Sequence, residues 1–156
     1  MDLENKVSLV TGAGQGIGKG IAKVLASHGS KVLIVDLNSE SADEVANDIN
    51  SVFPNSAASF QADLTDPHAI ESMLNFALLT FKKLDCICNN AAASKGIGPV
   101  ENYSLEDVQT TLDLTFTCLW KCIQAEIKFL KNQSIPASMV NISSNSAIKG
   151  YAFNSI

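Results

Sequence analysis

The sequence predicts an α/β chain built on a doubly wound parallel sheet, and three observations carry that prediction. Apolar runs of strand length, at residues 6–10, 31–35, 58–62, 84–88 and 137–144, alternate with four stretches of helical periodicity. The second run, Val-Leu-Ile-Val, is apolar without alternation, as strands are when helices cover both faces of a sheet. Polar residues then stand at or just past the carboxyl ends of these runs: Thr11, Asp36, Asp63, Asn90 and Ser144. That edge is where open parallel sheets bind their ligands.

At 156 residues, 46% hydrophobic and 17% charged, the chain is long enough for one domain spanning 1–156 with a real core. A net charge of −5 without a Lys/Arg cluster argues against nucleic acid or an anionic membrane as partner. No apolar run approaches the ~18 residues of a membrane span, and the first strand follows the start at once, so a soluble cytoplasmic protein is expected. Cys86 and Cys88 alternate in a strand, and Cys118 and Cys122 lie one helical turn apart. That is not the spacing of a zinc site, so reduced core thiols and no metal are expected.

Residues 11–18, Thr-Gly-Ala-Gly-Gln-Gly-Ile-Gly, join the first strand to a helix in which Ile17, Ile21, Val24 and Leu25 recur at helical spacing. A helix start leaves backbone N–H groups unpaired at the positive end of the helix dipole, and glycines let a pyrophosphate come close to them. Asp36 closes the second strand about 20 residues further on, where a carboxylate can accept hydrogen bonds from an adenosine ribose diol. Between the two, Gly29 ends the first helix, and His28 is expected as a cation at its carboxyl end.

A helix over 39–49 follows, with Ser39 or Ser41 able to cap it, and Pro54-Asn55-Ser56 turns the chain into the third strand. Asp63 or Thr65 can cap the next helix, which carries Pro67 in its first turn and runs to about Phe81. His68 is expected to be exposed and chemically idle. The fourth strand leads into Asn89-Asn90-Ala91-Ala92. Ser104 is placed to cap a long helix in which Val108, Leu112, Leu114, Leu119, Ile123, Ile127 and Leu130 are too many apolar positions for one narrow stripe. Ala-Ser-Met-Val-Asn-Ile-Ser-Ser is the fifth strand, ending at Ser144.

The glycine pattern of Gly12, Gly16 and Gly18, with Gly14 extra and Ile17 between the last two, resembles the Thr-Gly-x-x-x-Gly-Ile-Gly of the short-chain dehydrogenase/reductase family. Asn89-Asn90-Ala91-Ala92 is similar to that family's Asn-Asn-Ala-Gly, with Ala92 in place of glycine, and Asn141-Ile-Ser-Ser to its strand-end motif. The resemblance implies a Rossmann-like sheet, here incomplete, with five strands of the family's roughly seven. It implies cofactor binding by Gly12, Gly14, Gln15, Gly16, Ile17, Gly18, Asp36, Leu37, Asp63, Leu64, Asn90, Ala91 and Ala92, the acid or amide after the third strand lying beside the adenine. Ser144 matches the serine that hydrogen-bonds the substrate's oxygen. An ungapped alignment puts Thr115 where the family carries the Asn of a water-mediated proton relay. Ala93, Ser94, Asn145 and Ser146 fall where the substrate pocket is shaped. An alanine at position 92 costs about 1 kcal/mol if positive φ is needed there.

The family's proton donor is a Tyr with a Lys four positions on, roughly thirteen residues past the serine that Ser144 matches, a count that lands beyond Ile156. Tyr151 is too near Ser144 and is followed four later by Ser155, so it is not expected to be that base; 153–156 reads as the lead-in to it. The expectation is an NAD-dependent oxidoreductase moving a hydride between the nicotinamide and a secondary alcohol or ketone. As given, it is an incomplete, inactive front part of a longer chain that would form a homo-oligomer, dimer or tetramer, partly through the long helix. NAD is preferred to NADP because Asp36 repels a 2′-phosphate, and Gln15, Leu37 and Asn38 offer no Arg or Lys. The alternative is a short non-catalytic product that binds nucleotide or a partner subunit. A methyltransferase on the same sheet has no use for the two Asn-containing motifs.

Overall fold

The computed structural model describes residues 3–93 and 98–151. Five parallel strands, β1 (Val7–Thr11), β2 (Lys31–Asp36), β3 (Ala57–Gln61), β4 (Cys86–Asn89) and β5 (Ser138–Asn141), form one sheet in the order β3-β2-β1-β4-β5. The strand order reverses between β1 and β4, so a crevice opens above their carboxyl ends. Helices α1 (Gly16–Ser27), α2 (Ser39–Val52), α3 (Pro67–Phe81), α4 (Leu105–Leu112) and α5 (Cys118–Gln133) make the connections.

Two apolar clusters lie on opposite faces of the sheet. One joins Leu9, Leu33, Ile70, Met73 and Leu84 under α3 and α5; the other joins Val10, Ile34, Ala42, Val45 and Ile49 under α1 and α2. Strands buried this way need no polar face, which is why the sequence reads as unbroken apolar runs. At the amino-terminal edge, Asp85 is buried between β1 and β4. It accepts the Val7 N–H at 2.9 Å and pairs with Lys83 at 2.9 Å and Lys6 at 3.3 Å. Gln133 then clamps the end of α5 to the start of β4, accepting the Leu84 N–H and donating to its carbonyl.

Several local expectations need correction. Ile17 and Val24 are exposed; the buried stripe of α1 is Gly18, Ala22 and Ala26. Small residues are needed there because the helix start presses on the glycine turn: a Cβ at Gly18 would land on the Gly12 carbonyl oxygen. Asn38 caps α2, where Ser39 or Ser41 was expected, and Asp66 caps α3, where Asp63 or Thr65 was expected. In each case the residue immediately before the helix has the extended backbone that aims its side-chain oxygen at a first-turn N–H, that of Ser41 for Asn38 and that of His68 for Asp66. The fifth strand is also shorter than its apolar run, ending at Asn141.

The long helix is one rod interrupted by a π-helical turn at Asp113–Thr117, with a full capping box of Ser104 and Asp107 at its start. Its buried positions are Thr111, Cys118, Cys122 and Glu126, while Leu112, Phe116, Trp120 and Ile127 are exposed. Of the apolar residues that mark this segment in the sequence, Leu112 and Ile127 are exposed and Val108, Leu114, Leu119, Ile123 and Leu130 are half-buried. An inserted π turn shifts the helical phase by one residue, so a constant 3.6 period cannot follow the inward face through it.

Candidate nucleotide site

Strand β1 ends at Thr11, whose buried Oγ accepts the N–H groups of Asn90 and Ala91 at 3.0 and 3.1 Å. The Asn90 amide donates back to the carbonyls of Thr11 and Gly12, at 3.0 and 3.1 Å. These four bonds lock the end of β4 to the glycine turn across the switch point. Asn90 spends its side-chain donors on the protein and holds the wall of the crevice.

At the next strand end Asp36 turns back over the same bend. Its Oδ2 accepts the Gly14 N–H at 2.8 Å and its Oδ1 the Asn38 N–H at 3.0 Å. A Cβ at Gly14 would come within 2.9 Å of that carboxylate oxygen, so glycine is what lets the carboxylate settle on the turn. Helix α1 starts beside it with no side chain capping it, so its first N–H groups stay available to an anion.

A cavity of about 380 Å³ opens between these elements. Gly12, Gln15, Asp36 and Leu37 form one side, Asp63, Leu64, Asn90, Ala91 and Ala92 the other. All nine are residues expected there from the sequence. Leu37 is 65% exposed, an apolar side chain at the rim with little protein against it. Asp63 accepts from the hydroxyl and the N–H of Thr65, and these two bonds hold its carboxyl below the usual carboxylate range. Thr65, which could have been only a cap, lines the cavity as well.

Gly14, Gly16, Ile17 and Gly18 shape the bend and are not cavity walls. Ala92 is not among the described non-glycine residues with positive φ, so alanine costs nothing there on that account. The Thr115 hydroxyl lies in the π turn and donates to the Thr111 carbonyl at 2.6 Å. Ser144 is exposed just past β5 and accepts the Ser146 N–H at 3.1 Å, capping a short 3-10 turn at Asn145–Ala147. Tyr151 is half-exposed with the Lys149 ammonium 5.6 Å from its ring centre. Ser94 and residues 153–156 lie outside the described residues.

Sequence reasoning missed Leu114 and Cys118, which close the cavity from the long helix. They are four apart, on one face, and that spacing was the available signal. The other buried group on this helix, Glu126, is fully enclosed: the Asn89 amide donates to its Oε2 at 2.8 Å and also to Asn141 Oδ1 at 3.0 Å. Glu126 Oε1 and Asn89 Oδ1 have no partner among the described residues. Burial pushes the carboxyl up to about 7, against the lowering effect of the Asn89 bond.

The short chain dehydrogenase family profile matches residues 6–156. The chain belongs to the short-chain dehydrogenase family. Among curated short-chain dehydrogenases, it is 32% identical to the cyclohexanol dehydrogenase of Acinetobacter sp. (strain SE19) over 123 residues, 79% of this chain and 49% of that one. It is 28% identical to the 2,5-dichloro-2,5-cyclohexadiene-1,4-diol dehydrogenase of Sphingobium indicum over 149 residues, 96% of this chain and 58% of that one. The crystal structure of an NAD+-bound xylitol dehydrogenase superposes with a TM-score of 0.91 at 27% identity, covering 98% of this chain and 58% of that one. The chain thus spans about half the length of the curated relatives it matches. Among the described residues no helix is long and apolar enough to cross a membrane.

Proposed function

We propose that the chain is the dinucleotide-binding part of an NAD-dependent oxidoreductase that moves a hydride between the nicotinamide and a secondary alcohol or ketone. The observation that carries this reading is the Asp36 carboxylate, held on the Gly14 N–H beside the uncapped start of α1 and on the wall of the cavity. There it would accept both ribose hydroxyls, while the free N–H groups of α1 hold the pyrophosphate. Leu37 and Ala91 would flank the adenine, with Asp63 and Leu64 at its edge. When bound, the nicotinamide supplies or accepts the hydride. Ser144 would donate to the substrate's oxygen and orient the reacting carbon. The proton donor would come from chain beyond these residues. The names of the relatives, cyclohexanol and diol dehydrogenases, support an alcohol substrate.

Among the described residues no Arg or Lys stands in the cavity lining, which supports NAD over NADP. The exposed row Leu112, Phe116 and Trp120 supports assembly of a cytoplasmic homo-oligomer through the long helix. A second reading, a non-catalytic nucleotide- or subunit-binding product, is favoured by Thr115, whose hydroxyl is already committed to its own helix. Titrating NADH into the chain and into Asp36→Ala tests the first reading. Loss of the ribose bonds weakens binding roughly tenfold or more if it holds. Equal affinity in the two proteins contradicts it.

A further inference from the structure

Three elements meet at Asn89, one residue before the wall of the crevice. Its backbone carbonyl accepts the Ile142 N–H at 2.8 Å, and its buried side-chain amide donates to Asn141 Oδ1 on β5 and to Glu126 Oε2 on α5. Both N–H bonds of that amide are therefore committed. Two enclosed oxygens, Asn89 Oδ1 and Glu126 Oε1, are left without a partner among the described residues. We propose, on the nucleotide reading of the cavity, that Glu126 is a positioning residue: as the neutral acid it holds Asn89, and loss of its proton loosens the wall that Asn90 and Ala91 form.

The two orphaned oxygens belong to the two groups that the 2.8 Å bond already joins. If Glu126 were ionised, both would be acceptors facing no donor, and a carboxylate would lie enclosed with no ion pair among the described residues, a strongly disfavoured arrangement. A carboxylic acid supplies the donor that is missing. Its O–H can satisfy the amide oxygen while its other oxygen keeps the N–H, the two-bond pairing open to an acid and a primary amide. Burial acts in the same direction, pushing the carboxyl up to about 7 against the lowering effect of the Asn89 bond. The titratable groups facing Glu126 are the Cys118 and Cys122 thiols of its own helix, whose ionisation would oppose its charge; β4 and β5 contribute the uncharged amides of Asn89 and Asn141. From Asn89 the chain passes directly to Asn90, which is bonded to Thr11 and Gly12. A change at Glu126 thus reaches the glycine turn through one peptide link, and through the Ile142 bond it reaches the segment leading to Ser144.

The test measures NADH dissociation constants of the chain and of Glu126→Gln from pH 6 to 8.5, with hydrogen-exchange protection at the Asn90 and Ala91 amides recorded without nucleotide. The affinity of the unaltered chain is expected to fall about tenfold as pH rises through this range, the change that linkage assigns to a proton held tenfold more tightly in the complex. Glu126→Gln, a neutral side chain of the same length with both an acceptor and donors, keeps its affinity throughout. Protection at Asn90 and Ala91 falls over the same range in the unaltered chain, by more than at Val32 and Ile34 in β2, and stays level in Glu126→Gln. A merely structural role would lower all four together. An affinity of the unaltered chain that does not change with pH, or a Glu126→Gln that falls with it, overturns the proposal. Failure of the nucleotide reading shows separately, as no NADH binding by either protein at any pH. Exchange then decides: a pH-dependent loss at Asn90 and Ala91 that Glu126→Gln abolishes supports the positioning role, and level protection overturns it.

Discussion

The Asp36 carboxylate rests on the Gly14 N–H at 2.8 Å, so the acid at the end of the second strand and the turn at the end of the first are one structural unit. The Gly14 N–H holds Oδ2 and the Asn38 N–H holds Oδ1, and the carboxylate so placed lines the cavity. The contact that places Asp36 is thus independent of any ligand.

Gly14→Ala therefore separates the unit without touching the core. Its Cβ would sit 2.8 Å from the Ser41 side chain and 2.9 Å from Asp36 Oδ2, displacing the carboxylate. NADH affinity is expected to fall about tenfold, the worth of one charge-assisted hydrogen bond, with little change in the melting temperature. Calorimetric titration beside a thermal melt checks both halves.

Gly18→Ala should act on stability instead. The new methyl has nowhere to go but the Gly12 carbonyl, which is backbone and cannot rotate aside. Overpacking of this kind costs about 1–3 kcal/mol, read as a shift in the denaturant midpoint with unchanged slope.

Glu126 gives the fold a pH dependence of unusual sign for an acid. Its folded value of about 7 lies above the unfolded 4.5, so the folded state keeps its proton where the unfolded state has lost it. Stability is then full below the unfolded value, declines as pH rises toward 7, and stays lower above by roughly 3 kcal/mol at most. Glu126→Gln keeps an acceptor for Asn89 Nδ2 and removes the carboxyl that titrates. It should flatten that decline and stabilise the chain at pH 8, as a series of urea melts from pH 5 to 8 would show.

Asp85 works in the opposite sense. Burial opposes its charge, but Lys83, the Val7 N–H and Lys6 outweigh burial and hold the carboxyl below its usual range. The stability it contributes is present above the unfolded carboxylate value and lost as pH falls through the folded one. Asp85→Asn is expected to cost about 2 kcal/mol at pH 7 and to shrink the acid limb of the stability profile.

How much of this was readable in advance depends on what each residue answers to. Thr11, Asp36, Asp63 and Asn90 were legible because strand ends in a parallel sheet share one edge, so one-dimensional order becomes three-dimensional proximity. The caps at Asn38 and Asp66 were each misplaced to a neighbouring position, where several residues of capping chemistry stand in a row and only the backbone chooses between them. The long helix was legible in part: its apolar positions are too many for one stripe, and Leu112 and Trp120 are indeed exposed. What the sequence did not show is that its fully buried positions, Thr111, Cys118, Cys122 and Glu126, are polar or thiol, while Phe129 and Leu130 are only half-buried against the core. Glu126 is intelligible only with Asn89 beside it, a partner 37 positions away.

The central claim is that a nicotinamide dinucleotide sits with its adenosine ribose on Asp36. Dissociation constants for NADH and NADPH, measured side by side on the same preparation of the chain, test it most directly. The account predicts NADH binding with NADPH at least tenfold weaker, because a 2′-phosphate would meet the Asp36 carboxylate with no cation among the described lining residues to offset it. NADPH binding as tightly as NADH, or no binding of either, would contradict it.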